Sequence, residues 1–486
     1  MSGYYTADEV RAAEAELFTR VPEGEPMRRA AYGLATVVAA ELRARGGGVA
    51  GREIGLLVGS GDNGGDALWA GSMLRRRGVA VTAVLLNPAR AHAKGLAALR
   101  KAGGRVCADP AAAVSELAGA DLVVDGIVGI SGRGSLRPEA ARIVAELNVP
   151  IIAADLPSGV DPDTGAVDGP AVRAAVTVAF GARKPVHALA AAWCGRIELV
   201  PIGLRLPAPR LAALDPAAVG AGWPVPGPED DKYTQGVTGV HAGSETYPGA
   251  AVLCTGAAVA ATSGMVRYVG SAGSAVLAQY PEVVAAPDLG AAGRVQAWVF
   301  GPGSGTDRIA RDRLAEILAT ELPVVVDADG LTLLAEQPDL VRGRRAATVL
   351  TPHAGEFHRL TGRDPGPDRA GAVRELAEDW QVTVLLKGRA TLIAEPGGPL
   401  LVNEAGGSWA ATAGAGDILS GVIGSLLAAG REPGWAAAAA ALVHAAAADI
   451  AAHAARPGAA GAAPISAGPL LRHLPAAIAT LRAGQA

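Results

Sequence analysis

Cysteine is nearly absent. The three in 486 residues, Cys107, Cys194 and Cys254, lie far apart, form no CxxC pair and have no zinc spacing. That excludes a disulfide framework or structural zinc site, and an odd count fits a reduced cytoplasm. Aromatic residues are also scarce, at 4 % of the chain. Neither sign of charge dominates: 43 Lys and Arg face 47 Asp and Glu, a formal net charge of −4. This balance gives no general attraction to nucleic acid or an anionic membrane, so any phosphate binding must be local. The N-terminal stretch is polar, without the basic start and apolar core of a signal peptide. The Ala-rich run 436–452 contains His444 and Asp449 and follows Arg431 and Glu432, so a buried helix is expected there rather than a membrane span. The expectation is a cytoplasmic protein with no membrane and no nucleic-acid partner.

Gly is abundant, with 65 residues, and Ala carries much of the 50 % hydrophobic content. Small residues permit close backbone packing and tight ligand loops, as in α/β domains. The length suits two or three domains. Thr6, with Glu9 three residues on, marks a helix start for 6–20. Short apolar runs at 53–59, 79–86, 121–125, 150–155 and 175–180 alternate with helical patterns. Strands of this kind predict a parallel sheet covered on both faces. A proline cluster follows, and 207–230 is predicted to be a stiff linker between domains 1–206 and 231–486. The second half alternates again, with strands predicted at 250–254, 274–279, 295–300, 323–327, 348–350 and 382–386 and a long Ala-rich helical end.

In the first half, Gly59-Ser-Gly-Asp-Asn-Gly-Gly-Asp66 joins a strand to a helix. Bare backbone N–H groups at such a turn hold anions, although Asp62 or Asn63 capping a tight turn is an equally good explanation of the motif alone. Val124-Asp-Gly-Ile-Val-Gly-Ile-Ser-Gly-Arg-Gly-Ser135 and Ala154-Asp-Leu-Pro-Ser-Gly159 follow two further strands. Carboxyl ends of parallel strands share one crevice, where Asn63, Asp125 and Ser158 can offer oxygen ligands to a cation and Asp155 can act on substrate. With Phe180-Gly-Ala-Arg-Lys-Pro-Val-His-Ala-Leu189, these motifs resemble the NAD(P)H-hydrate epimerase family over residues 6–204. The resemblance implies a Rossmann-like three-layer domain that interconverts the R and S hydrates at C6 of the nicotinamide ring. It implies K⁺ on Asn63, Asp125 and Ser158, and Asp155 as a catalytic residue. The hydrate pocket would comprise Asp62, Asn63, Gly64, Gly65, Asp66, Gly129, Ile130, Ser131, Gly132, Arg133, Gly134, Ser135 and Asp155. Arg133 stands where the family commonly has Lys, and Arg does not serve as a proton-transfer base.

In the second half, Thr412-Ala-Gly-Ala-Gly-Asp-Ile-Leu-Ser-Gly421 places an Asp where a helix begins among small residues. Asp417 can deprotonate a hydroxyl there while N–H groups stabilise phosphoryl charge; the plainer alternative is an N-cap. Val299-Phe-Gly-Pro-Gly-Ser-Gly305, Val326-Asp-Ala-Asp-Gly330, Leu350-Thr-Pro-His-Ala-Gly-Glu-Phe357 and Leu386-Lys-Gly-Arg-Ala-Thr391 fall at strand ends. Their order, with Tyr247-Pro-Gly-Ala-Ala251, resembles the ADP- or ATP-dependent NAD(P)H-hydrate dehydratases from residue 239 onward. The resemblance implies a ribokinase-like α/β fold, catalysis by Asp417, and hydrate contacts from Ala250, Gly303, His353 and Asp417. It assigns the nucleotide to Lys387, Gly388, Arg389, Ala390, Thr391 and Gly416, with ADP as co-substrate and Mg²⁺ assisting. Together the halves imply a homo-oligomer, tetrameric or larger, acting on NADHX and NADPHX. The alternatives are a ribokinase-like small-molecule kinase with a regulatory Rossmann-like domain, and a non-catalytic nucleotide-binding protein.

Overall fold

The computed structural model describes residues 1–454 and 461–484. After the short strand β1 (Ser2–Tyr4), the chain forms two compact units that divide between Leu211 and Ala212.

The first unit carries β2 (Glu53–Val58), β3 (Ala80–Leu85), β4 (Arg105–Cys107), β5 (Leu122–Gly126), β6 (Ile151–Ala154), β7 (Val176–Phe180) and β8 (Arg196–Val200). They lie in the order β4-β3-β2-β5-β6-β7-β8, and all pairings are parallel. The chain reverses direction across the sheet between β2 and β5, so the loops after these two strands diverge and leave a crevice at their carboxyl ends. The capping box expected at Thr6 forms: Thr6 N donates to Glu9 Oε2 at 2.8 Å, and Glu9 N donates to Thr6 Oγ1 at 3.3 Å.

The second unit carries β9 (Leu211–Ala213), β10 (Val237–His241), β11 (Met265–Val269), β12 (Val284–Ala286), β13 (Ala297–Phe300), β14 (Val324–Val326), β15 (Thr348–Leu350), β16 (Thr383–Leu386), β17 (Ala390–Ala394) and β18 (Leu400–Glu404). Their order is β9-β18-β17-β16-β15-β14-β13-β10-β11-β12. Pairings are parallel from β12 to β16 and antiparallel from β16 to β18. Helix Pro433–Ala454 is long and apolar enough to cross a membrane, but 67 % of its apolar window is buried, and its alanines belong to the core under the sheet.

Three expectations are corrected. Residues 250–254 and 274–279 are helical, within Pro248–Ala261 and Gly273–Gln279, while β10 and β11 supply the strands. Pro248 pre-sets the first turn. The helix it starts is buried against Ala415–Ala428, where a Cβ on Gly421 would lie 2.2 Å from Cys254 O, so the amphipathic pattern of a surface helix is lost. The segment 207–230 is not merely a linker. It contains β9 and helix Pro216–Gly222, and Val219 and the Trp223 indole are buried in the second core, Trp223 Nε1 donating to Ala261 O at 2.9 Å. Proline at a first helical position starts structure instead of ending it.

Candidate active sites in the two units

In the first unit the crevice collects the acidic motifs. Helix Asp62–Arg75 starts with Gly61 as its N-cap, so neither Asp62 nor Asn63 caps it. Buried Asn63 donates from Nδ2 to Ala154 O at 2.7 Å, and its Oδ1 faces Gly129, where a Cβ would lie 2.5 Å away. Asp125 is fully buried at the end of β5. Its Oδ1 accepts from Ser158 Oγ at 2.7 Å and Ile127 N at 3.1 Å, and its Oδ2 accepts from Ser158 N at 2.9 Å. Burial pushes its carboxyl up to about 6 against those hydrogen bonds. Asp125 makes no ion pair among the described residues, and its carboxylate and the Ser158 hydroxyl set hard oxygens side by side at the end of β5. Ser158 thus meets Asp125 directly, while Asn63 packs beside them against Gly126, Gly129 and Ala154.

Asp155 follows β6 with φ 68°, in the left-handed region that Asp enters more readily than most residues but still at some cost, and is held there from several sides. Its carboxylate is paired with the Lys184 ammonium and accepts from Phe180 N at 3.1 Å. His187 Nδ1 accepts from Lys184 N, which leaves the proton on Nε2 to donate to Asp155 O at 2.8 Å. Burial, and then the Lys184 charge, press His187 down to about 4, so it is neutral at pH 7. Gly129, Ile130, Ser131, Gly132, Arg133, Gly134 and Ser135 form the loop after β5. Ile130 O accepts from Arg11 Nη2 at 2.9 Å, whereas Arg133 is 55 % exposed and reaches Asp163 at 3.7 Å. A cavity of about 630 Å³ is lined by Asp62 and Asp66, together with Glu14, Phe18, Met27 and Trp69.

In the second unit a cavity of about 310 Å³ brings together six of the expected residues: His353, Lys387, Gly388, Arg389, Thr391 and Gly416. Lys387–Arg389 lies in the turn between β16 and β17, and Ala390 opens β17. Lys387 Nζ contacts Asp327 Oδ1 at 2.8 Å and Glu356 Oε2 at 3.4 Å. Burial alone would lower this ammonium, but the two carboxylates outweigh burial and hold it above its ordinary value. Ser420 Oγ donates to Asp327 Oδ2 at 2.8 Å. A Cβ on Gly416 would stand 3.5 Å from Lys387 Nζ, so the first turn of helix Ala415–Ala428 faces the lysine across open space.

Asp417 is the third residue of that helix and not its cap, which is Gly414 with φ 84°. Burial and then the Asp327 charge push Asp417 up to about 6, against Lys387. His353 caps helix Ala354–Thr361, its Nδ1 accepting from Gly355 N and Glu356 N, while Glu356 Oε2 accepts from His353 N at 2.8 Å. Ala250 and Gly303 meet each other, since a Cβ on Gly303 would lie 2.8 Å from Ala250 Cβ. Neither they nor Asp417 line the 310 Å³ cavity.

Sequence reasoning assigned no role to Lys184, His187, Glu14, Asp327, Glu356 or Ser420. Glu356 was the most accessible of these, three residues after His353 in capping-box spacing. The burial of Lys184 has no local signal, because its partner lies on another strand end.

The folds and sites define a class: a Rossmann-like α/β domain followed by a ribokinase-like α/β domain, each with an acid–lysine cluster at its strand ends. Residues 24–186 match the family described as YjeF-related protein N-terminus, and residues 238–466 match NAD(P)H-hydrate dehydratase. The chain belongs to the bifunctional NAD(P)H-hydrate repair enzymes. It is 62 % identical to the one from Mycobacterium tuberculosis (strain CDC 1551 / Oshkosh) over 90 % of this chain and 92 % of that one. It is 60 % identical to the one from Mycobacterium leprae, over 99 % of this chain and 100 % of that one. Among solved structures, a ribokinase-like superfamily protein from Enterococcus faecalis V583 matches with TM-score 0.50 and 21 % identity, covering 58 % of this chain and 99 % of its own. An ADP/ATP-dependent NAD(P)H-hydrate dehydratase from Bacillus subtilis, co-crystallised with ATP and Mg²⁺, has TM-score 0.49 and 26 % identity over 56 % of this chain and 98 % of its own.

Proposed function

We propose that the chain restores hydrated NADH and NADPH in two reactions, epimerisation at C6 in the first unit and nucleotide-dependent dehydration of the S hydrate in the second. The observation that carries the dehydratase half is the cavity in which Lys387, Gly416 and His353 converge beside Asp327 and Asp417. A helix N-terminus and an ammonium together favour phosphoryl oxygens. The Asp417 carboxylate takes the proton of the C6 hydroxyl as that oxygen attacks the terminal phosphorus of ADP. Lys387 and the Gly416 N–H hold the phosphoryl charge. AMP leaves; phosphate then departs from C6, and loss of a proton from C5 regenerates the ring double bond. Lys387, Gly388, Arg389, Ala390, Thr391 and Gly416 bind the nucleotide, and Ala250, Gly303 and His353 the hydrate. Mg²⁺, carried with the nucleotide phosphates, supplies charge neutralisation.

In the first unit residues 62–66, 129–135 and Asp155 receive the hydrate. Asn63, Asp125 and Ser158 hold K⁺, which supplies a fixed positive charge near the pocket and organises its loops. The same reading places the protein in the cytoplasm as a homo-oligomer of four or more chains, for light scattering to check.

The deciding experiment incubates the purified protein with mixed R and S NADHX, ADP, Mg²⁺ and K⁺. NADH absorbance is followed while chromatography resolves the epimers, and ATP replaces ADP in a second run. Full conversion of both epimers is expected. Conversion of the S half alone would remove the epimerase, and a stable phosphorylated product from another alcohol would point to a kinase.

A further inference from the structure

The 630 Å³ cavity of the first unit opens among helices Ala7–Phe18, Glu25–Gly46 and Asp62–Arg75, and Glu14 and Asp66 face it from two of them. Asp66 is 6 % exposed, and its Oδ1 has no hydrogen-bond partner among the described residues. A carboxylate buried without donor or cation is unfavourable, so such a group keeps its proton. The surrounding charges act in the same direction. After burial itself, Asp155, Asp62 and Glu14 hold Asp66 well above the usual carboxylate range, opposed by Lys184. Burial, then Asp155, raises Glu14 as well. Arg28, His92 and Lys94 also stand around the cavity, Lys94 paired with Glu23 at 2.9 Å. Phe18, Met27 and Trp69 give the cavity an apolar lining suited to a flat ring.

We propose that Asp66 and Glu14, which reach the cavity from two different helices, are the acid–base pair of the epimerisation, one serving each face of the hydrated nicotinamide ring. This rests on the epimerase reading of the first unit. The C6 hydroxyl sits on the carbon bonded to ring nitrogen N1. Asp66 protonates that hydroxyl, the C6–O bond breaks with its electron pair, and water leaves while the N1 lone pair forms an N1=C6 iminium. A water then adds to the other face, its oxygen pair forms the new C6–O bond, and the N1 pair returns. The surplus proton passes to Glu14. One water leaves, one enters, and the enzyme is left primed for the opposite epimer.

The test uses the full chain with resolved R and S NADHX. Asp66→Asn and Glu14→Gln are each expected to slow epimerisation about 10²-fold, the range of general acid–base catalysis, while ADP-dependent dehydration of the S hydrate persists. The wild-type rate should fall as rising pH strips the proton from Asp66, and Asp66→Asn should lack that limb. In ¹⁸O-labelled water the wild-type enzyme should place one label at C6 per inversion. An Asp66→Asn variant at wild-type rate, or slowed with the wild-type pH profile intact, would overturn the pair, as would inversion without label. If Asp66→Asn fails to fold, Glu14→Gln and the label decide. A wild-type enzyme that inverts neither epimer would instead remove the epimerase reading itself.

Discussion

Both units pair a buried carboxylate with a lysine beside a strained strand end, yet the two lysines are used differently. Asp155 follows β6 at φ 68°, and Ala328, next to Asp327, follows β14 at φ 51°. Lys184 is 1 % exposed and has both its partners, the Asp155 carboxylate and Phe180 O, inside the protein. Lys387 is 20 % exposed and lines a cavity while Asp327 and Glu356 hold it. A sealed ammonium orients a carboxylate; an ammonium at a cavity wall receives an anion. In the first unit the lysine is engaged inside the protein and Asp66 is left without a partner for its Oδ1, whereas the second trains a cation and a helix N-terminus on one space.

The largest expected effect would break the two units apart functionally. Asp417→Asn should lower dehydration by roughly 10³-fold, within the range of general-base catalysis, and leave R/S interconversion at the wild-type rate. Equal loss of both activities would show that the units do not act separately. In the wild type, dehydration should require the Asp417 carboxylate. Its kcat/KM should therefore rise with pH through about 6 and level off above, because burial and Asp327 place the titration there.

A second pair of variants sharpens the contrast between lysines. Lys184→Met leaves Asp155 as an uncompensated buried charge, and such a break costs about 3–5 kcal/mol, read from denaturant unfolding of the first unit's transition. Lys387→Met should act mainly on nucleotide affinity, seen as a raised KM for ADP. If Lys387→Met destabilises as much as Lys184→Met, the distinction by exposure is wrong.

The alternation of strand and helix was legible because parallel sheets need apolar strands and covering helices at short intervals. Gly-rich turns at their carboxyl ends were legible too, since close ligand approach demands small residues. The meeting of Asp125 and Ser158 was legible from strand ends, since β5 and β6 are neighbours and their carboxyl ends lie side by side. Residues 250–254 were misread because the helix is apolar on its partly exposed side too, at Val252, Leu253, Val259 and Ala260, which erases the 3.6-residue pattern that distinguishes it from a strand. The proline-rich stretch 207–230 was misread because a Pro that opens a helix looks, locally, like one that forbids it. Lys184 and Glu14 owe their surroundings to chain segments far away in sequence, and no local pattern announces a buried ion pair or an acid without a partner.

Potassium tests the cation-poor character of the first site at a smaller scale. Without a cation, Asp125 sits at about 6 against an ordinary 3.8. A raised carboxyl means that the folded chain binds the proton more tightly than the unfolded one, so stability falls as pH rises from about 4 to about 6, by about 3 kcal/mol at most. A bound K⁺ favours the carboxylate and reverses that loss. The melting temperature should rise with KCl more at pH 7 than at pH 5, NaCl at equal ionic strength should do less, and Asp125→Asn should abolish the difference.

The smallest effect belongs to Arg133, where the first unit most resembles an ordinary surface. Its guanidinium is 55 % exposed, donates to Gly132 O at 3.0 Å and only approaches Asp163 at 3.7 Å. Solvent screens such a pair, so Arg133→Ala should cost below about 1 kcal/mol in unfolding. Because an arginine does not shuttle protons and the proposed proton carriers lie in the cavity, the variant should keep the pH profile of epimerisation and change only KM for the hydrate. A flattened pH profile in Arg133→Ala would move the proton chemistry out of the cavity and onto the loop after β5.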